Sequence, residues 1–303
     1  MRNGSLDYFR LLAAFGIVLF HSGAPGASIG YTGLPYFLLM LPLFGLPASS
    51  GKPFKAFLAN RANRLLVPWL IWSGIYGGLK VVEITLTGAD LSSEFHWWML
   101  ITGPALHLWF LPFAFAVSLL FPVFEKTWNY ASHLTQNAIS ALLLMGTLLM
   151  LMGQGNFNAA GPPLAQWAYA TPAVLLGLFI GANWPMPDRR FLVAAICIIT
   201  LGTTVFIFHA AGSLQLMIAT VIVLVSLYLP LPGSMTANFC AGTALTVYLV
   251  HPLVMSALQR GVHLPSDSLT LAVCTIVISF MLVAIQALFV QWRLSGKIAA
   301  KQQ

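Results

Sequence analysis

The first apolar stretch of the chain, Leu6 to Ser22, carries three ionisable residues at helical spacing. Arg10 and His21 are eleven residues apart, so an α-helix would place them about 20° apart on one face and roughly 16 Å apart along its axis. Asp7 lies about 40° from the same line. Histidine, with an unperturbed pKa of about 6.5, is suited to acid–base chemistry near neutral pH. The pattern therefore indicates a polar stripe on an otherwise apolar helix.

Two interpretations of this stripe are open from the sequence. Ionised side chains inside a bilayer cost on the order of 3 kcal/mol, and they usually face a protein interior or a water-filled cavity. Alternatively, Arg10 and Asp7 could mark the cytoplasmic end of a spanning helix, and His21 could be a hydrogen-bonded core or interfacial histidine. Their shared face favours a functional role, but spacing alone does not decide between the two.

The densest basic stretch is the segment from Ser49 to Arg64, SSGKPFKAFLANRANR. It is predicted to be a cytoplasmic loop from which the chain re-enters the membrane at Leu65. Arg61 and Arg64 are three residues apart and would share a helix face there. Paired guanidinium groups are well shaped for phosphate oxygens, so the pair is a candidate site for a phosphorylated ligand. A plain cytoplasmic anchor is the alternative.

A second histidine, His251, lies inside a late apolar run, YLVHPLV, and is followed by Pro252. Proline cannot donate to the helix ladder and can kink the helix. A buried histidine beside a kink could serve a site or satisfy the freed carbonyl, and the sequence slightly favours the second role. Motifs for a nucleophile elbow, a P-loop, a dinucleotide fingerprint, HExxH or a cysteine cluster are missing, so no metal site is expected.

The composition is that of an integral membrane protein. Of the 303 residues, 59% are hydrophobic and 7% are charged, and the mean hydropathy is +0.86. Soluble domains carry about 25% charged residues. The net charge of +7 could suggest nucleic-acid binding. The basic residues, however, are spread between apolar runs and are better interpreted as topology signals, so no nucleic-acid partner is expected.

Apolar runs that could cross a bilayer core, which takes about 20 residues, occur ten times. The predicted fold is therefore all-α: a polytopic integral membrane protein with about ten transmembrane helices and a single domain over residues 1–303. The second and eighth runs are the least secure, because proline and glycine interrupt or end them. The predicted spans are residues 8–26, 31–48, 65–86, 107–124, 137–153, 164–184, 191–209, 214–231, 238–258 and 268–291.

The basic residues also predict the orientation of these spans. With both termini in the cytoplasm, twelve of the fourteen lysines and arginines fall on the cytoplasmic side, and only Lys80 and Arg260 fall toward the outside. This bias follows the positive-inside rule. It places His21 roughly three turns from the cytoplasmic end of the first span, in the middle or outer half of the bilayer. The cytoplasmic set is Arg2, Arg10, Lys52, Lys55, Arg61, Arg64, Lys126, Arg189, Arg190, Arg293, Lys297 and Lys301.

Four segments together resemble the acyltransferase-3 family of integral-membrane acyltransferases that modify bacterial surface glycans. LDYFRLLAAFGIVLFH contains the arginine, ten residues and histidine of the family's first helix, and NRANRLLVPW contains its arginine-x-x-arginine element. HLWFL resembles the opening of a middle helix, and YLVHPLV resembles a late helix. The likeness covers nearly the whole chain in order, and its first two segments are the most specific.

The resemblance implies transfer of an acyl group, usually acetyl, from cytoplasmic acyl-CoA to a carbohydrate hydroxyl at or beyond the membrane. His21 matches the family's essential histidine and Arg10 its partner. Arg61 and Arg64 match its cytoplasmic arginine pair. The implied donor is thus acyl-CoA, expected to be acetyl-CoA, and the implied acceptor is a carbohydrate or glycolipid at the lipid bilayer. The implied location is the bacterial inner membrane.

The implied reaction has two open routes at His21. A hydroxyl is a poor nucleophile unless a base removes its proton, and histidine suits that work. A covalent acyl group on His21 is the alternative. Larger members of the family carry an extracytoplasmic esterase-like domain after the last helix, and no such fused soluble domain is expected in this sequence. That difference suggests either direct transfer to the acceptor or a separate envelope partner.

A second function class is a transporter or exporter of a glycan or lipid-linked sugar without acyl-transfer activity. Ten spans with sparse buried charge also describe a carrier. Binding of CoA distinguishes the two classes, because an acyltransferase needs a site for a thioester donor and a carrier does not. A purely structural scaffold would not account for Arg10 and His21 together. The predicted function is therefore acyl transfer.

Overall fold

The apolar runs of the sequence form α-helices. The computed structural model describes residues 3–299, apart from the side chains of residue 158 and of residues 287–299. A helix satisfies its internal N–H and C=O groups by itself, which is what lipid requires of a spanning segment. The described part of the chain contains no strand, and its isolated β-bridge joins Asn3 to Pro232.

The described helices include long apolar segments and single turns that connect them. Three 3₁₀ turns, Leu106–Trp109, Asn158–Ala160 and Pro187–Arg189, complete the set. In chain order the α-helices are α1 (Gly4–Ser22), α2 (Ala27–Gly30), α3 (Gly33–Ser49), α4 (Phe54–Thr87), α5 (Leu91–Glu94), α6 (Met99–Thr102), α7 (Phe110–Ser118), α8 (Phe121–Tyr130), α9 (His133–Met152), α10 (Gln154–Phe157), α11 (Leu164–Asn183), α12 (Arg190–Phe206), α13 (Ser213–Tyr228), α14 (Met235–Gly261) and α15 (Leu269–Ala299).

The predicted all-α membrane fold with about ten spans is confirmed, and one span is shorter than expected. Within residues 3–299, nine helical segments are long and apolar enough to cross a bilayer. The predicted eighth span corresponds to α13, an apolar helix of 16 residues. Such a helix is about 24 Å long, whereas a hydrocarbon core is about 30 Å thick. Length alone therefore does not make α13 a spanning helix.

Two predicted helix boundaries that matter for the site are wrong. α1 ends at Ser22, before the predicted end at residue 26, because Gly23 adopts a left-handed conformation (φ 71°) that stops the helix. α4 begins at Phe54, well before Leu65, so most of the basic stretch is helical and not a loop. With 34 residues α4 is about 51 Å long. Its charged first turns can thus extend beyond the hydrocarbon core.

The helices group into two compact units. The first unit contains Met1–Tyr36 and Ile222–Gln303, and the second contains Phe37–Val221. In the first unit α1 packs against α14, α15 and α2. In the second unit α9 packs against α11 and α12, and α4 packs against α7. The expectation of a single domain over residues 1–303 stays a prediction.

The start of α1 is fixed by polar contacts within the first unit. The side-chain oxygen of Asn3 caps the helix by accepting from the N–H groups of Ser5 and Leu6. The Asn3 amide also donates to the carbonyl of Ser226 at 2.7 Å. The hydroxyl of Ser5 donates to the carbonyl of Leu229 at 2.8 Å. These bonds hold the beginning of α1 against the segment around the end of α13.

The orientation of the helices across the bilayer stays a prediction, which single cysteines in a cysteine-free variant can test. A cysteine at Lys52 is expected to resist a membrane-impermeant thiol reagent in intact cells, because the basic residues place it in the cytoplasm. A cysteine at Asn156 is expected to react. Both positions are exposed, so both should react in permeabilised cells. Labelling at position 52 in intact cells would reverse the orientation. Gln303, also predicted to be cytoplasmic, lies outside the described residues.

Candidate active site

The predicted polar stripe lies on one continuous helix. α1 runs from Gly4 to Ser22 without an internal proline, so the spacing of Arg10 and His21 corresponds to about 16 Å along the axis. The two side chains share a face but are too far apart for direct contact. His21 lies in the last turn, roughly five turns from Gly4, and therefore farther along the helix than the sequence predicted.

Asp7 and Arg10 form an ion pair near the beginning of α1. Nη1 of Arg10 lies 3.2 Å from Oδ1 of Asp7. The Asp7 side chain is 1% exposed, and the Arg10 side chain is 24% exposed. A buried carboxylate is tolerated when it is paired, so Arg10 compensates the charge of Asp7. Arg10 thus has a structural role beside the one that the resemblance implies.

The ring of His21 is accessible at the surface of the first unit and contacts two other rings. Phe20 lies edge-on to it, with 5.3 Å between the ring centroids. The ring of His251 lies 5.2 Å away at an interplanar angle of 32°. Phe20 in turn lies 4.1 Å from the ring of Tyr31. His21 is exposed, and the two neighbouring rings restrict the orientation of its imidazole.

His251 is fully buried in α14 and directly precedes Pro252, which lies inside this helix. In a regular helix the N–H of residue 252 would donate to the carbonyl of Tyr248, but proline has no N–H. Nδ1 of His251 lies 2.7 Å from that carbonyl oxygen. The predicted role of this histidine, satisfying the carbonyl that proline frees, is therefore confirmed.

The same hydrogen bond determines which nitrogen of His251 carries the proton. A carbonyl oxygen can only accept, so Nδ1 must be the donor. In the neutral ring Nε2 then carries the lone pair. Since this ring also contacts His21, His251 belongs to the candidate site as well as to the packing of α14.

The loop that precedes α15 closes against the C-terminal end of α1. The backbone N–H of Asp267 donates to the carbonyl of Ser22 at 3.1 Å. The carboxylate of Asp267 lies against Gly23, and a Cβ at position 23 would require this side chain to turn away. Glycine is favoured at position 23 because its φ of 71° lies in the left-handed region, which residues with a Cβ rarely adopt. This contact holds the end of the helix that carries His21.

Arg61 and Arg64 lie one turn apart near the beginning of α4, in the second unit. Arg61 is half-buried, and its guanidinium carbon lies 5.2 Å from the ring centroid of Phe57. Arg64 is exposed. Among the described side chains, no carboxylate forms an ion pair with either guanidinium. Both charges are therefore available to an anionic ligand.

The segment HLWFL begins the fourth span, as predicted. Its first residues form the 3₁₀ turn Leu106–Trp109, which continues as α7. His107 is buried and lies edge-on to Tyr76 of α4, with 5.0 Å between the ring centroids. Trp69 of the same helix donates from Nε1 to the carbonyl of Thr102 at 3.2 Å. These contacts join α4 to the end of α6 and to the 3₁₀ turn that precedes α7, within the second unit.

The sequence singles out His21 and His251 separately but does not predict the contact between them. Its local signal for His251 was the proline that follows it, and this signal predicted the hydrogen bond but not the neighbouring ring. In the described part of the chain, no group of three or more histidine, cysteine, aspartate or glutamate side chains is placed to hold a metal ion.

A known family matches nearly the whole chain. The model of the family Acyl_transf_3, described as an acyltransferase domain, matches residues 3–288. The matched range contains α1 with its polar stripe, the basic beginning of α4, and α14 with His251. No match was found among the curated proteins or among the solved structures.

Proposed function

Since the chain belongs to the acyltransferase-3 family of membrane acyltransferases, we propose that it transfers the acyl group of an acyl-CoA to a hydroxyl group of a carbohydrate. The family match supports the acyl transfer, and the long apolar helices support the location in a membrane. The proposed acyl group is acetyl. The proposed acceptor is a carbohydrate or glycolipid at the outer side of the bacterial inner membrane.

The accessible imidazole of His21 is the observation that carries this proposal. A hydroxyl needs a base that removes its proton before it attacks a thioester at a useful rate. A neutral imidazole nitrogen takes this proton while the hydroxyl oxygen bonds to the thioester carbonyl carbon. The carbon–sulfur bond then breaks, the leaving thiolate receives the proton from the imidazolium, and the products are an ester and CoA.

The phosphate groups of the donor are assigned to Arg61 and Arg64. Guanidinium groups form two parallel charge-assisted hydrogen bonds to phosphate oxygens. The contact of Arg61 with Phe57 restricts the guanidinium before the ligand arrives. Less side-chain freedom is then lost on binding, which favours affinity.

Arg10 is proposed to position the donor or to line a polar path for it along α1, and not to take part in the proton transfer. Its distance from His21, about 16 Å along α1, is too long for strong direct coupling. Its partner Asp7 holds the guanidinium at the beginning of the helix. The predicted orientation places this end of α1 on the cytoplasmic side, where acyl-CoA is found.

Mass spectrometry of surface glycans from cells with and without this protein tests the proposed function. We expect cells that lack the protein to lose a mass increment equal to an acyl group, because the acceptor is no longer modified. The increment identifies the acyl group, and the glycan that loses it is the acceptor. Purified protein in detergent should also bind CoA. Unchanged acylation together with absent CoA binding would indicate a glycan carrier, the alternative function.

A further inference from the structure

We propose that His251 is a positioning residue that holds the His21 imidazole in the orientation needed for proton transfer, a role that rests on the proposed function of His21 as the base. A base must lie within hydrogen-bond reach of the proton and be aligned with it. His21 is an exposed residue in the last turn of α1, where an unrestrained side chain would sample several rotamers. A fixed neighbour removes this freedom.

The ring of His251 is itself held in place. It is 0% exposed, and the ring of Tyr248 lies 6.0 Å from it. The ring of His251 also contacts the ring of His21, at 5.2 Å and 32°. Phe20 provides a second ring contact to His21. A buried, hydrogen-bonded imidazole thus packs against an exposed histidine.

Pro252 fixes the rotation of the His251 ring. Because proline has no N–H, the carbonyl of Tyr248 accepts from Nδ1 of His251 at 2.7 Å. Breaking a buried hydrogen bond of this kind leaves a desolvated polar group and is costly. The backbone of α14 therefore determines the orientation of His251, and His251 determines that of His21.

Replacing His251 with asparagine removes the ring contact and keeps the hydrogen bond. The asparagine amide nitrogen occupies about the place of Nδ1 and can donate to the carbonyl of Tyr248. We expect the turnover number to fall about 10²-fold, the scale for a misplaced catalytic group. The KM values and the CoA affinity should change little. His209→Asn is the matched control, because His209 is exposed at a positive φ that asparagine tolerates, and it should be fully active.

The double variant His21→Gln/His251→Asn shows whether His251 acts through His21. Residues that act as a unit have non-additive effects, so the double variant is expected to be no slower than His21→Gln alone. The positioning role is wrong if His251→Asn keeps full activity, or if it slows both backgrounds by the same factor. Full activity of His21→Gln alone would remove His21 as the base and with it the positioning role of His251, whereas absence of acyl transfer by the wild-type protein would contradict the proposed function.

Pro252→Ala is a second test, which does not depend on the folding of the His251 variant. Alanine supplies the missing N–H to the carbonyl of Tyr248 and removes a proline from a helix interior. The melting temperature is therefore expected to stay the same or rise. The restored N–H competes with Nδ1 of His251 for that oxygen and loosens the ring, so the turnover number should fall with little change in KM. A Pro252→Ala protein as fast as the wild type would overturn the proposal.

Discussion

Purified protein with His21→Gln is expected to transfer acyl groups about 10²–10⁴ times more slowly than the wild type. This is the usual loss when a general base is removed. Glutamine keeps much of the size and hydrogen-bonding capacity of histidine but cannot take up a proton near neutral pH. A packing or polar-contact role would therefore survive the exchange. His21→Ala is expected to be similarly slow, because it also lacks the base.

Donor binding and stability distinguish a lost base from a lost fold. The CoA affinity of His21→Gln should stay near the wild-type value, because the phosphate groups of CoA are assigned to Arg61 and Arg64. Its melting temperature should also change little, because His21 is exposed. The matched control is His133→Gln, the same exchange at an exposed histidine that begins α9. It is expected to keep full activity. Near-normal turnover of His21→Gln would remove His21 from the mechanism.

The helices could be predicted from the sequence, because a helix that crosses a bilayer needs a run of about 20 apolar residues. Their ends could not be predicted equally well. Hydropathy marks where lipid begins and not where a helix begins, so it predicts a loop before Leu65, where α4 already has its charged first turns. The end of α1 at Ser22 depends on Gly23 and on its contact with Asp267, which is distant in sequence.

The contacts of the site also differ in how far apart their residues lie in the sequence. The hydrogen bond from His251 to the carbonyl of Tyr248 could be predicted, because Pro252 lacks the N–H that would donate to this carbonyl in a regular helix. The contact of His251 with His21 could not be predicted. Periodicity gives the face of each helix, but it does not say which helix packs against that face.

A large effect is also expected from the arginine pair. Replacing Arg61 or Arg64 with alanine should weaken CoA binding by about 1.5–3 kcal/mol, the scale of a charge-assisted hydrogen bond. This corresponds to about a 10- to 150-fold increase in Kd. Lysine should restore binding only in part, because it keeps the charge but loses the planar fork. The loss should be larger for Arg61, whose guanidinium is already restricted by Phe57.

The control for the arginine pair is Lys52→Ala/Lys55→Ala, which removes two exposed positive charges from the same basic stretch. General attraction of an anionic ligand depends on total charge and is screened by salt, so it would weaken equally in both double variants. Specific phosphate contacts would weaken far more in Arg61→Ala/Arg64→Ala. Calorimetric titration of the purified proteins with CoA measures the difference. If the double arginine variant binds CoA as tightly as the wild type, the pair only anchors α4 at the membrane surface.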